Sequence, residues 1–420
     1  MTAFQNVKGT RDFYPEEMRV RNWITDAWRR VSLRNGFEEY DAPIFEYLDL
    51  FTVKSGQEIA EQLFRFTDRG GRDLAIRPEI TPSLARMVNA RIHSLPRPIK
   101  WFSAPRLCRA ERPQRGRLRE FFQWNVDVIG SDSVLADAEC IFTCIDFLRE
   151  VGLTPDDVKV HIGSRPLVMA LLASVGVGEG EMDPALLALD KRQKIAPEAF
   201  EKMLADIGMT AEAVGRVCRF MDAPYDEQTR LLGELAGVEK AHKDLQALDM
   251  ELGRMGVGEY VTFDFHIVRG LAYYTGVVYE AIAAGERAVA GGGRYDNLLE
   301  VLGGPQVGAT GFGMGDVVLS LLLEEKGKIP EEVRASGVEF FCIATAEGER
   351  GRVLEAVGRL RSAGRSSEFS YKATTNLGKL LKEAARRGAA KAVIVAEDGT
   401  LSVKDLATGE QTDGLTLEQL

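Results

Sequence analysis

Apolar residues recur at helical spacing between Glu16 and Asn35, at Val20, Trp23, Ile24, Ala27, Trp28 and Val31, and Gly36 follows as a stop. This predicts an amphipathic helix with one buried stripe. The stretch FEEYDAPIFE behind it reads as extended and broken at Pro43, and Asp73 to Arg77 as a short strand. Thr81 and Pro82 start a second helix, with Thr81 as N-cap and the proline at the first helical position. Ile99 to Arg109 and Glu120 to Ile129 form two strands of an antiparallel hairpin. The second strand alternates cleanly. Phe122, Trp124, Val126 and Val128 lie on one face, and Gln123, Asn125 and Asp127 on the other. Leu135 to Val151 is a further helix.

From about Pro166 to Gly253 alanine, leucine, lysine and glutamate dominate without a strand-like run, the texture of a helical insertion. Strand character returns at EYVTFDFHIV (Glu259 to Val268) and YYTGVVYEAI, followed by two glycine-rich passages. Charged residues and Pro330 mark a linker, beyond which strand and helix patterns alternate as in a small α/β domain.

At 420 residues, two or three domains are expected. The chain is 45% hydrophobic and 28% charged, with mean hydropathy -0.13, as in soluble globular proteins. No apolar run is long enough for a bilayer, and MTAFQNVKGTRDF has no signal-peptide core. Five scattered cysteines, Cys108, Cys140, Cys144, Cys218 and Cys342, argue against a disulfide framework or structural zinc and fit a reducing cytoplasm. Cys140 and Cys144 are expected on a buried helix face. The net charge of -10 makes indiscriminate polyanion binding unfavourable, but local basic patches matter more than the total.

One such patch lies between the hairpin strands. Arg112, Arg115, Arg117 and Arg119 follow Arg109, and Glu111 is the single acid among them. Closely spaced arginines can grip phosphates bidentately, whereas the bland reading is a charged, solvated hairpin tip. Arg269, in HIVRGLAYYTG, is either a core ion pair or a cation aimed at phosphate beside Tyr273 or Tyr274. Glu79 is a surface-turn acid, or an ammonium ligand if it shares a pocket with Gln123 and Asp127. The glycine runs at Gly291 to Gly293 and Gly311 to Gly315 match no phosphate-loop motif and read as bulges or close strand packing. The dispersed histidines His93, His161, His242 and His266 read as structural.

Taken in order, these segments resemble the class II aminoacyl-tRNA synthetases and, within them, the histidyl-tRNA synthetases. KGTRDFYPEEM resembles the family's start, and the helix to Gly36 with the strand to Pro43 resembles motif 1, the dimer element. LAIRPEITPSLARMV resembles the amino-acid-binding segment, and RAERPQRGRLREFFQWNVDVIG motif 2. HIVRGLAYYTGVVYE and GGGRYDNL resemble the two histidine signatures, and the C-terminal segment from SYKATTN onward the anticodon-binding domain.

The resemblance implies an α+β fold: an antiparallel sheet flanked by helices in a catalytic core over 1–325, with a helical insertion at about 170–250. A linker at 326–336 and an α/β anticodon-binding domain at 337–420 would follow. It implies an ATP-dependent ligase that activates histidine as the adenylate and transfers it to tRNA(His). The enzyme would act as a cytoplasmic homodimer, with ATP and Mg²⁺, no metal ligands assigned to the protein and no membrane partner. Glu79, Thr81 and Gln123 match the residues at the substrate α-amino group, and Asp127, Tyr273, Tyr274 and Tyr295 those of the imidazole pocket. Arg109 matches the α-phosphate arginine, Glu111 the acid near adenine, and Gln123 lies beside the ATP. Arg269 matches the arginine that touches histidine and assists attack, so Arg109 and Arg269 are the implied catalytic pair. Arg112, Gln114, Arg117 and Arg119 would meet the tRNA acceptor end.

Two positions depart from the family pattern. Ala272 stands where an aspartate is common, and Asp316, Val317 and Val318 stand where motif 3 has Leu-Glu-Arg. Loss of that arginine removes a charge-assisted contact to the γ-phosphate, so Mg²⁺ or a loop arginine would have to substitute. Asp316 reads as a helix N-terminal acid favoured by the dipole, the alternative being a metal ligand. Two rival readings compete with this one. One is a silent paralogue acting as the histidine-sensing regulatory subunit of ATP phosphoribosyltransferase. The other is a synthetase-like enzyme with a non-tRNA acceptor.

Overall fold

The computed structural model describes residues 4–52, 62–192, 194–269, 273–283, 288–335, 337–372 and 374–420. Contacts divide the chain into two units, Met1–Phe13 with Arg21–Ile329, and Tyr14–Val20 with Pro330–Leu420.

The strands of the first unit, in chain order, begin with β1 (Glu38–Glu39), β2 (Phe45–Tyr47), β3 (Phe64–Thr67) and β4 (Asp73–Ile76). Next come β5 (Ile99–Ser103), β6 (Arg106–Cys108), β7 (Glu120–Ile129) and β8 (Val158–Ser164). The last are β9 (Val261–Phe263), β10 (Val277–Ala283), β11 (Ala288–Arg294) and β12 (Ala309–Gly315). Nine of them form one sheet in the order β1-β5-β7-β12-β11-β10-β8-β9, with β6 paired to β7, and β2-β4-β3 form a small second sheet. The large sheet is antiparallel from β5 through β8 and parallel only at its two outer pairs, β1–β5 and β8–β9.

The alternation in β7 explains why this sheet has helices on one side and a site on the other. Trp124, Val126 and Val128 are fully buried. Trp124 packs 6.1 Å from Trp28 and 5.4 Å from Phe147, and its indole N–H donates to Ser32 Oγ at 2.9 Å. Those partners come from the helices Pro15–Arg34 and Val134–Glu150, whose apolar stripes cover the back of the sheet. Cys140 and Cys144 lie in that buried stripe, where loss of solvent pushes both thiols up, and all five cysteines are free.

Several local expectations change. The strand expected from Ile99 to Arg109 breaks between Ser103 and Arg106, at Ala104-Pro105, because proline lacks the N–H that would continue the ladder. Thr81 is the first residue of the helix Thr81–Arg91 and not its cap, since Ile80 takes the cap position without a side-chain bond. The strand expected over Glu259 to Val268 ends at Phe263, where Asp264 turns the chain and accepts hydrogen bonds from His266. The glycine runs are central strands, β11 and β12, consistent with close strand packing. Val158–Ser164 is a strand that the composition of its surroundings concealed, although Val158, Val160 and Ile162 alternate on a buried face.

Between β8 and β9 lie six helices, from Arg165–Ser174 to Glu239–Arg254, among the described residues. In the second unit β13 (Phe340–Ala344), β14 (Ser367–Phe369), β15 (Lys391–Val395), β16 (Leu401–Asp405) and β17 (Gln411–Leu415) pair in the order β14-β13-β15-β16-β17. Phe340 and Cys342 pack with the helix Arg350–Ser362, while Phe341 and Ile343 pack with Leu377–Arg386, so both faces are covered. The expected linker region contains the short helix Glu331–Arg334.

Candidate active site

Cross-strand register aligns the polar row of β7 with rows of glycine. Asp127 pairs with Gly311, Asn125 with Gly313 and Gln123 with Gly315, while Gly311 and Gly313 pair with Gly293 and Gly291. Cross-strand partners share a face, so the polar side chains of β7 lean over neighbours that have no side chain. A Cβ on Gly311 would come within 2.2 Å of Asp127 Oδ1, and one on Gly313 within 2.8 Å of Gln123. These glycines clear the floor of a cleft of about 290 Å³, which joins a second of about 250 Å³ along β11 and β12.

The first cleft gathers Glu79, Thr81, Gln123, Asp127, Tyr273, Tyr274 and Tyr295, as well as Arg109 and Arg269. Asp127 is 3% exposed. Its Oδ1 accepts a hydrogen bond from the Tyr295 hydroxyl, and its Oδ2 has no hydrogen-bond partner. Burial raises its carboxyl from 3.8 to about 7, against the lowering effect of Tyr295 and with a further rise from Glu79. A carboxylate oxygen that is buried, unpaired and set in a cleft is made to receive a donor from a ligand. Glu79 is buried on the same cleft wall, with the Tyr273 hydroxyl donating to Oε2 at 3.4 Å. Arg77 braces that wall: its guanidinium meets Asp41 Oδ1 at 2.8 Å and donates to the Arg106 carbonyl. Tyr273 stands 4.8 Å from Tyr274 and edge-on to Tyr295 at 6.0 Å, giving the cleft an aromatic wall.

Three arginines line both clefts: Arg109, Arg117 and Arg269. Arg109 donates from Nε to the Pro78 carbonyl at 3.0 Å, and its guanidinium lies 5.1 Å from the Phe121 ring. Arg269 pairs with Glu280 at 3.0 Å. Burial disfavours its charge, but Tyr274 and Glu280 more than offset this, so its pKa is raised. Glu111 also lines both clefts and receives Arg117 at 3.3 Å. The loop is closed by backbone pairing of Gln114 with Arg117 around Gly116. Arg112 and Gln114 are exposed. Arg119 turns inward, donating to the carbonyl of Glu111 at 3.0 Å while its own N–H reaches Gly9 O.

Val317 and Val318 line the second cleft. Asp316 starts the helix Asp316–Glu325, as its sequence position implies, but it is buried. One oxygen meets Arg11 at 2.6 Å and the other accepts the Phe122 N–H at 2.9 Å, which leaves it unsuited to a metal. Ala272 lies outside the described residues. His161 and His266 both contact Asp264, and His266 Nε2 lies 2.7 Å from Met221 O, as structural histidines should.

Some cleft residues escaped the sequence. Asn125 was visible in the alternation but had no assigned role. Gln62, Glu280 and the insertion residues Leu187, Asp190 and Lys191 carried no local signal, because only the tertiary fold brings them to the cleft.

A largely antiparallel sheet that holds carboxylates, tyrosines and paired arginines over glycine rows defines a class II aminoacyl-tRNA synthetase. The family model described as "Histidyl-tRNA synthetase" matches residues 9–316, and the chain belongs to that family. It is 40% identical to the histidine–tRNA ligase of Opitutus terrae, over 98% of this chain and 96% of that one. It is 38% identical to that of Pyrococcus abyssi, over 97% and 96%. The crystal structure of histidyl-tRNA synthetase from Nostoc sp. PCC 7120 superposes with TM-score 0.81 at 22% identity, covering 98% of this chain and 97% of that one, which shows the shared fold. The resemblance drawn from the motifs is borne out at the level of the family. The regulatory-subunit reading is not favoured, since these sequence relatives are named as ligases.

Proposed function

We propose that this chain activates histidine with ATP and transfers it to tRNA(His), and that Asp127 Oδ2 is the group that recognises the imidazole. The unpaired, buried carboxylate oxygen carries this reading. An imidazole N–H would satisfy it, and a side chain without a donor there would leave it orphaned, a penalty that discriminates strongly. Glu79, Thr81 and Gln123 receive the α-ammonium, and Tyr273, Tyr274 and Tyr295 enclose the ring.

Activation brings two anions together, as a histidine carboxylate oxygen attacks the α-phosphorus and pyrophosphate leaves. Arg109 and Arg269 flank that position, offset the repulsion and stabilise the charge that builds up. Glu111 lies toward the adenine. Arg117, placed in both clefts, faces the polyphosphate as well as the loop, and this offsets the valine at position 318. In the second step the terminal ribose hydroxyl of the tRNA attacks the acyl carbonyl and AMP leaves. Arg112 and Gln114, exposed on the loop, meet the acceptor end, while Arg119 steadies the loop from within.

Among the described residues no group of three acids, histidines or cysteines could hold a metal. Mg²⁺ would be held with the phosphates, and Glu111 and Glu280 are the carboxylates that line the second cleft. The 337–420 segment serves as the anticodon-binding domain. Motif 1, the helix to Gly36 with the strand to Pro43, carries the homodimer contact, and the exposed aromatics Phe45, Tyr47 and Phe66 on the small sheet that follows extend it. The setting is cytoplasmic, and no described helix is long and apolar enough to cross a membrane. Charging of a tRNA(His) transcript with labelled histidine tests this function; charging with another amino acid in its place would refute it.

A further inference from the structure

The segment from Asp264 to Arg269 leads from β9 to the active-site arginine, and the helical insertion holds it at two points. His266 Nε2 lies 2.7 Å from Met221 O in the helix Ala211–Asp222. Arg165 donates from Nη1 to the carbonyl of Arg269 at 3.0 Å, and its Nη2 meets Asp183 Oδ1 at 3.1 Å. Asp183 is near the start of the helix Met182–Lys191, whose far end brings Leu187, Asp190 and Lys191 to the cleft. The segment also runs unusually close to the sheet, since a Cβ on Gly163 would lie 2.0 Å from the Ile267 carbonyl.

An arginine is a costly choice at position 165. It is the first residue of its helix, where the dipole disfavours a cation, and it is 3% exposed. What the guanidinium provides is a rigid fork that reaches two partners in two directions. One of those partners needs holding. Among the described residues Arg269 is the only non-glycine with positive φ, at 54°. Such a backbone is strained and persists only where its surroundings over-determine it.

We propose that Arg165 is a positioning residue, which fixes Arg269 by its carbonyl and, through Asp183, makes the helical insertion set where the catalytic arginine stands. This rests on the reading of Arg269 as the group that acts at the α-phosphate. The consequence is a link between the insertion, whose helix Met182–Lys191 ends at the cleft, and the rate of adenylate formation, while Asp127 and the tyrosines that enclose the imidazole are left in place.

The full-length chain with Arg165→Lys or Asp183→Ala tests it. Lysine keeps the charge but cannot span both partners, and Asp183 lies on the exposed side, where folding tolerates the change. In histidine-dependent pyrophosphate exchange, Arg165→Lys should lower kcat on the order of 10- to 100-fold with the KM for histidine nearly unchanged. Asp183→Ala should lower kcat less, and the double variant should match Arg165→Lys alone. Hydrogen exchange in peptides spanning residues 264–269 should quicken in both single variants. An unchanged kcat with a lowered melting temperature would make Arg165 merely structural and overturn the proposal. So would unaltered hydrogen exchange in Asp183→Ala. Absence of pyrophosphate exchange in the unmodified chain would refute the functional reading instead, and hydrogen exchange would still decide the coupling.

Discussion

Gly291 lies directly beneath Arg269: a Cβ at that position would come within 1.5 Å of Arg269 Nη1. Position 291 of the central strand β11 is therefore bare because the Arg269 guanidinium occupies the space a side chain would take. Gly291→Ala should displace the guanidinium and cut the kcat of adenylate formation on the order of 100-fold. Calorimetric affinity for histidine should change far less, and a kcat near the unmodified value would show that Arg269 does not need this seat.

The raised carboxyl of Asp127 makes histidine binding depend on pH. Its folded value of about 7 stands above the ordinary 3.8, so its contribution to stability is full below about 4 and is lost as pH rises through about 7. Binding has the opposite sign, because the ionised form is the one that accepts the imidazole N–H. The KM for histidine should rise as pH falls below about 7, and Asp127→Asn should raise it about 10- to 100-fold. A histidine KM independent of pH between 5.5 and 8 (about 1.5 units below and 1 above the Asp127 value) would remove Asp127 from the pocket.

How far the site could be read in advance depends on what each residue signals locally. Gln123, Asn125 and Asp127 were legible because a period of two places them on one face of β7 whatever surrounds it. Glu79 and Arg269 had an ion-pair or turn reading just as good until the fold set them in one cleft. The glycines of β11 and β12 carry no side-chain pattern, so their role became visible only from register with β7. HIVR, rich in β-branched residues, reads as a strand, but Asp264, Arg165 and Gly163 together bend it into the irregular segment that presents Arg269. The break at Pro105 follows from proline chemistry alone and was foreseeable.

Asp316 occupies the place of a motif 3 residue but serves the back of the sheet. Removing it strands the Phe122 N–H in the interior and leaves Arg11 without its acid. Asp316→Ala should cost about 1–3 kcal/mol in urea denaturation. Stability within 0.5 kcal/mol of the unmodified chain (about the scatter of ordinary surface substitutions) would show that the contact is dispensable.

On the small sheet, Phe45 and Phe66 sit 6.2 Å apart edge-to-face, and each is about half exposed. Charging that face with Phe45→Glu and Phe66→Glu should convert a dimer to monomer in sedimentation velocity. A double variant that sediments as the unmodified dimer would place the interface elsewhere.

In the proposed reaction Asp127, Arg109 and Arg269 turn bound histidine and ATP into the adenylate despite the valine at position 318. Histidine-dependent ATP–pyrophosphate exchange measures that step by itself. Exchange is expected with histidine and not without it, and it should be lost in Arg269→Ala while histidine still binds. Histidine binding without exchange at saturating ATP and Mg²⁺ would rule out adenylate formation by these residues.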